Sequence, residues 1–187
     1  MVSALVLLAS GFEEIEALTV IDVLRRCNIK VVVVGLSAEP TTGAHDVRVI
    51  PDTSIDKVRV EDYDAIICPG GNPGYINLRK NATVLSMVKK AFAMGKLVAA
   101  ICAAPAVLAD AGILKDKKCT IYPGMENELE RGGGKVQRDL VVEDGNVITS
   151  QGPATALPFA FKVAERLASK AVVEVVKERT LVNFILK

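Results

Sequence analysis

The order of apolar and polar segments predicts an α/β fold, an open and mostly parallel β-sheet with helices on both faces. Two observations carry this expectation. Continuous apolar runs at residues 4–9, 30–36, 63–68 and 97–101 suit strands buried on both faces, not the alternation of a half-exposed sheet. Between them lie segments whose apolar residues recur at helical spacing, as crossover connections require. The chain contains no internal repeat, no low-complexity segment and no dividing linker, so residues 1–187 are expected to form a single domain.

Residues 4–9 (ALVLLA) read as the first strand. Ser10, with Glu13 three residues on, resembles a capping box. Ile15, Leu18, Val20, Ile21, Val23 and Leu24 then supply a helical face that ends near Asn28. Residues 30–36, with four consecutive valines, form the second strand. Turn-rich residues follow to about Thr42, and 46–50 is a short extended stretch. Residues 63–68 are the third buried strand, closed by Pro69-Gly70-Gly71-Asn72-Pro73-Gly74. Asn81 caps a helix bearing Val84, Leu85, Val88, Ala91 and Phe92, and Gly95 stops it. Residues 97–101 are the fourth buried strand. The helix after Cys102 ends near Gly112. Residues 119–122 read as a short strand and 125–131 as a helical turn broken by three glycines. Residues 136–142 and 146–150 flank Glu143-Asp144-Gly145 as a hairpin. The tail carries helices at about 154–168 and 171–177, then apolar Leu181, Val182, Phe184 and Ile185.

Composition narrows the function. Half of the 187 residues are hydrophobic, 24% are charged, and the formal net charge is +1. No basic block offers a footprint for nucleic acid. No apolar run is long enough to span a bilayer; 97–109 is short and contains Pro105. The N-terminal ten residues lack a basic leader and run straight into a helix, so they read as a strand and not as a secretory signal. Cys27, Cys68, Cys102 and Cys119 lie far apart, and His45 is the only histidine. This argues against a metal site and for free thiols in a reducing, cytoplasmic compartment.

Chemistry concentrates at Cys102. An apolar, β-prone run reaches it, and a small-residue segment with Pro105 at first-turn spacing follows. That is the pattern of a thiol on a sharp strand-to-helix turn, where the following amides favour a thiolate. A buried, inert cysteine has the same local pattern. Ligands in open α/β sheets bind beyond the carboxyl ends of the strands. Three such ends carry unusual residues: Ser10-Gly11-Phe12-Glu13-Glu14-Ile15-Glu16, Pro69-Gly70-Gly71-Asn72 and Cys102-Ala103-Ala104-Pro105. If the strands are neighbours, the loops share one edge. The Gly-Gly pair can then expose amides to a bound oxygen. A carboxyl beside the sulfur is desolvated, so its pKa should rise.

These segments, together with Asp22-Val23-Leu24-Arg25-Arg26 and Thr149-Ser150-Gln151-Gly152-Pro153-Ala154-Thr155, resemble the DJ-one-like branch of the ThiJ/PfpI superfamily nearly end to end. The resemblance implies a flavodoxin-like three-layer sandwich and a homodimer. It implies Cys102 as the nucleophile-elbow cysteine, Glu16 as the protonated carboxyl hydrogen-bonded to it, and Gly71 and Ala103 as backbone donors of an oxyanion pocket. Gly70, Asn72, His45, Tyr122 and Arg26 fall at or near that pocket, Arg26 by reaching a partner subunit's. Members of the family act as glyoxalases that turn methylglyoxal into lactate without a cofactor, as deglycases of early glycation adducts, as oxidative-stress sensors through cysteine sulfinic acid, and as chaperones.

The chain departs from many relatives at Tyr122-Pro123, where they carry His-Pro. The local base of a Cys-His hydrolase is thus missing, and Tyr122 reads as pocket wall more than as a hydrogen-bond donor. His45-Asp46 stands where human-type relatives have Arg-Asp; His45 is open to reading as a proton shuttle or as a solvated loop residue. Ile50 replaces a second, dimer-interface cysteine. The expected function is cysteine-dependent turnover of small reactive aldehydes or glycated adducts. Redox sensing through Cys102 without turnover is the alternative, and an amidotransferase-like hydrolase a weaker one.

Overall fold

The computed structural model describes residues 1–184. The expected Ile185 of the apolar tail lies outside the described residues. The strands are β1 (Ser3–Leu8), β2 (Lys30–Gly35), β3 (Thr41–Thr42), β4 (Arg48–Val49), β5 (Thr53–Ser54), β6 (Ala65–Cys68), β7 (Leu97–Ile101), β8 (Lys118–Cys119), β9 (Lys135–Val136), β10 (Val141–Asp144) and β11 (Val147–Ser150). The helices are α1 (Glu14–Arg26), α2 (Gly74–Lys80), α3 (Ala82–Ala93), α4 (Pro105–Asp110), α5 (Glu126–Arg131), α6 (Ala156–Leu167) and α7 (Lys170–Arg179).

Seven strands form the central sheet in the order β10-β11-β7-β6-β1-β2-β5. All pairs are parallel except the β10–β11 hairpin. Successive side chains of a strand point to opposite faces, and the core divides accordingly. Ala4, Val6 and Leu8 of β1 join Ala17, Val20 and Leu24 of α1 and Phe159 and Val163 of α6. Leu5 and Leu7 join Val84 and Val88 of α3 and Val107 and Leu108 of α4 on the other face. Each such side chain contributes about 1.5–3 kcal/mol by leaving water. The result is a three-layer, flavodoxin-like sandwich.

The chain leaves β1 through α1 to reach β2 on one side, then crosses back to β6 on the other. Strand order reverses between β1 and β6, which opens a crevice at their carboxyl ends. The loops after β1, β6 and β7 meet there.

Several boundaries differ from the sequence expectation. The Ser10–Glu13 capping box does not form: α1 starts at Glu14, and its N-cap residue Glu13 makes no side-chain cap. The preceding residues are used as a turn instead. Gly11 takes φ +83°, its N–H donates to Thr42 O, and the Glu13 N–H donates to Gly70 O. The 119–122 strand shrinks to β8 because the Tyr122 N–H donates to Cys102 O at the elbow. The hairpin is shorter than 136–150, since Lys135–Val136 pairs with β8. Helix α2 and edge strand β5 are additional elements. Asn81 caps α3 as expected, accepting from the N–H groups of Thr83 and Val84 at 3.0 and 3.1 Å. Among the described residues, no helix is long and apolar enough to cross a membrane.

Candidate active site

Cys102 follows β7 directly and takes φ +64°, a left-handed conformation that costs a non-glycine residue about 1–3 kcal/mol. Two backbone bonds hold it there: its N–H donates to Ser150 O at 2.9 Å, and its C=O accepts from the Tyr122 N–H at 2.9 Å. The strained turn lifts the side chain out of the sheet. Cys102 is partly exposed, whereas Cys27, Cys68 and Cys119 are buried free thiols.

Glu16 lies in the first turn of α1, is 0% exposed, and comes to Cys102 across the crevice. Its Oε2 accepts from the Gly70 N–H at 2.8 Å. Its Oε1 is buried with no hydrogen-bond partner among the described residues. Gly70 separates the two groups closely. A Cβ there would stand 2.7 Å from Cys102 Cβ and 2.8 Å from Glu16 Oε2. Gly71 takes φ +91° and packs against the Gly11–Glu13 backbone, where a Cβ would come within 2.3 Å of Glu13 N. Both glycines are therefore required by space, and Gly71 by its backbone conformation as well.

The backbone amides of Ala103 and Gly71 lie beside the Cys102 sulfur and favour its thiolate. Burial pushes Glu16 up to about 7, and the Glu13 charge adds to this, against bonds from Cys102 and Gly70. Cys102 departs from the expected low pKa. Burial first, then the Glu16 charge and its hydrogen bond, push the thiol up to about 12, while the Ala103 and Gly71 amides act in the opposite sense. The two Glu16 contributions require an ionised carboxylate. A proton on Glu16 removes both and turns the carboxyl into a donor toward sulfur. The two groups are coupled, so that ionisation of one opposes ionisation of the other.

A cavity of about 350 Å³ opens above the sulfur, within the range of small-molecule sites. Gly71, Asn72, Cys102, Ala103 and Tyr122 line it. Glu13, Tyr75, Met125 and Pro153 complete the wall. Glu13 and Pro153 lie within the sequence motifs that follow β1 and β11. Tyr75 is brought in by α2, which the sequence reading did not foresee, and Met125 by the start of the helical turn expected at 125–131, which carried no sign of a place in the cavity. Tyr122 takes the wall position, its ring packed on Gly152.

His45 does not line the cavity. Its side chain is 71% exposed and its Nδ1 lies 2.9 Å from Glu14 Oε2 and 3.4 Å from Glu13 Oε2. The Glu14 hydrogen bond and then the Glu13 charge raise its pKa. Burial raises Glu14, but its bonds to the His45 side chain and backbone outweigh this and leave it lowered. Glu13, Glu14 and His45 form a compact cluster at the cavity rim. Arg26 is not at the chain's own cavity. It closes the far end of α1, ten residues and about 15 Å along the axis from Glu16, and pairs with Asp22 at 2.6 Å.

A family model described as the DJ-1/PfpI family matches residues 2–166. The DJ-1beta protein of Drosophila melanogaster is 43% identical over 183 residues, covering 97% of this chain and 98% of that protein. Its crystal structure superposes with a TM-score of 0.91 over 96% of this chain and 97% of the other. A glutathione-independent glyoxalase of Caenorhabditis elegans is 39% identical over 88% of each chain. A deglycase of Pyrococcus horikoshii is 35% identical, covering 80% of this chain and 90% of that protein.

Proposed function

The chain belongs to the DJ-1/PfpI family, and from that premise we propose that it is a cysteine-dependent enzyme acting on reactive dicarbonyls and their glycation adducts, with conversion of methylglyoxal to lactate as the simplest case. The observation that carries this reading is the Cys102 sulfur at the floor of a cavity, between two backbone amides and a buried carboxyl whose pKa stands near neutrality. The glyoxalase and deglycase relatives support the substrate class.

The chemistry follows from these groups. With the proton on Glu16, the Cys102 thiolate attacks the aldehyde carbon. The developing oxyanion meets the Gly71 and Ala103 amides and takes up a proton to give a hemithioacetal. Glu16, now a carboxylate, removes the proton from the former aldehyde carbon and returns it to the adjacent carbon, while the hydroxyl proton passes from the first oxygen to the second through the enediol. The product is a thioester of an α-hydroxy acid. Water cleaves it to lactate and restores the thiol, so one water is consumed overall and no external oxidant or cofactor is needed. His45 is too far out on the rim to serve at the sulfur; its carboxylate partners hold it there. The experiment is lactate formation from methylglyoxal by the purified protein. Wild type should produce it and Cys102→Ala should fall to the uncatalysed rate; lactate formation that survives the substitution overturns the reading.

One observation favours a second role. Cys102 alone among the free cysteines is partly exposed, and a sulfinate there would find the two amides and the Glu16 carboxyl as donors. Peroxide titration with peptide mass mapping should oxidise Cys102 before the other three. The hydrolase alternative loses its support, since the only histidine lies off the cavity wall.

We further read residues 1–187 as one domain acting as a homodimer in the cytoplasm. The free thiols support a reducing compartment. Exposed Ile15 and Leu18 on α1, with Val47 and Ile50 nearby in sequence to β4, supply an apolar surface for pairing.

A further inference from the structure

We propose that Glu13 makes the Cys102 cavity cation-selective, so that it accepts carbonyl compounds bearing an ammonium or guanidinium group and disfavours anionic ones. The inference rests on the reading above for its substrate and names the charge class that the same cavity selects.

Three observations converge. The Glu13 side chain is 10% exposed yet forms part of the wall above Cys102. It caps no N–H of α1, and its ion-pair contact is His45 Nδ1 at 3.4 Å, a group that sits closer to Glu14 at 2.9 Å. The Glu13 charge is thus only partly matched by the protein, in a recess where low dielectric strengthens it. Among the described residues, no lysine or arginine lines the cavity. Second, the rest of the wall includes Tyr75, Tyr122 and Met125. A carboxylate with aromatic residues beside it is a combination that receives organic cations. Third, the volume of about 350 Å³ leaves room beyond a three-carbon dicarbonyl for the amine-bearing end of a larger substrate. With the carbonyl carbon on the sulfur, such an end extends along the Glu13 wall toward the rim, where it competes with His45.

The test reads the cavity through the sulfur and does not require turnover. Cys102 displaces methanesulfinate from a methanethiosulfonate, forming a mixed disulfide. Second-order rates are measured at low salt for the cationic 2-(trimethylammonio)ethyl reagent and the anionic 2-sulfonatoethyl reagent, with peptide mapping to confine the signal to Cys102. Each rate is divided by that of glutathione. The cation-to-anion ratio should be at least about tenfold in the wild type and fall at least about threefold in Glu13→Gln. It should rise in His45→Ala, a change in the opposite direction that general loosening of the fold would not give. Added salt should shrink it. A ratio near one, or one that Glu13→Gln leaves unaltered, overturns the proposal. Absence of lactate formation overturns the enzymatic reading alone, because the rate ratio is still measured.

Discussion

Glu16 is wholly buried, with one oxygen on the Gly70 amide and the other unpaired. Its pKa stands at about 7 against 4.5 for the free side chain, which links the site to stability. Between those values the folded chain binds more protons than the unfolded chain, so stability falls as pH rises through the window. The loss from this one group is on the order of 3 kcal/mol. Urea unfolding at pH 5 and pH 8 should show that fall in wild type and a much smaller one in Glu16→Gln. Equal pH dependence in the two proteins would contradict the assignment. Gly70 makes a complementary prediction. A methyl group there meets Cys102 Cβ, Glu16 Oε2 and Ile101 O within 3.0 Å. Gly70→Ala should cost about 1–3 kcal/mol and slow alkylation of Cys102, read by mass spectrometry, by prising the sulfur from Glu16. That the loops bearing Cys102, Gly71 and the acidic residues 13–16 could meet was legible from their places after buried strands, provided the strands were neighbours; the choice of Glu16 among those acids came from the family resemblance. The electrostatics of the thiol were not legible. An amide-lined elbow predicts a low pKa, and only the depth of burial beside Glu16 reverses it.

At the scale of elements, α1 serves the site with its first turn alone, and the loop around β3 and β4 is fastened to that turn. Glu14, whose side chain is 9% exposed, accepts from the His45 and Val47 N–H groups at 2.7 and 3.3 Å and holds the His45 ring. The loop runs so close that a Cβ on Gly43 would stand 2.3 Å from Glu14 Oε1. Glu14→Ala removes this clasp and hands the N–H groups of the exposed His45 and Val47 back to water, at about 0.5–1.5 kcal/mol for each lost bond. Hydrogen exchange of amides 43–49 should quicken while that of β1 and β6 does not; uniform change across the chain would refute a local clasp. Asn81→Ala, remote from the cavity wall, should cost about 1 kcal/mol through its lost cap. Its denaturation midpoint should drop while Cys102 alkylation keeps its rate. The long elements were legible for physical reasons. The 97–101 run is apolar on both faces and is β7 to the residue. Short elements were not, since β5 and α2 are set by neighbours. β5 pairs only Thr53 and Ser54 with β2, and α2 packs on α3 and α4 with two buried residues, Gly74 and Leu78.

For the whole molecule, the reversal of strand order between β1 and β6 explains why one edge gathers the chemistry, and the exposed face of α1 bears on assembly. Ile15 and Leu18, three residues apart, share that face at 55% and 39% exposure, and Ile50 is 77% exposed. Exposed apolar area of this kind is a poor surface for a lone protomer and suits a self-complementary contact about a two-fold axis. The two ends of α1 are differently placed: Glu16 is buried beside its own chain's Cys102, while Arg26 pairs with Asp22 well away from it. If protomers pair through α1, Arg26 of one chain is free to approach the other, which a single chain cannot arrange. Replacing Leu18 and Ile50 together by Asp places two charges in the proposed contact without disturbing the core, because both side chains face solvent. Sedimentation equilibrium should then show a dimer for the wild type and a monomer for the double variant, with the same far-ultraviolet circular dichroism. Should the double variant remain a dimer, the contact lies elsewhere; should wild type itself sediment as a monomer, Arg26 has no cavity to serve.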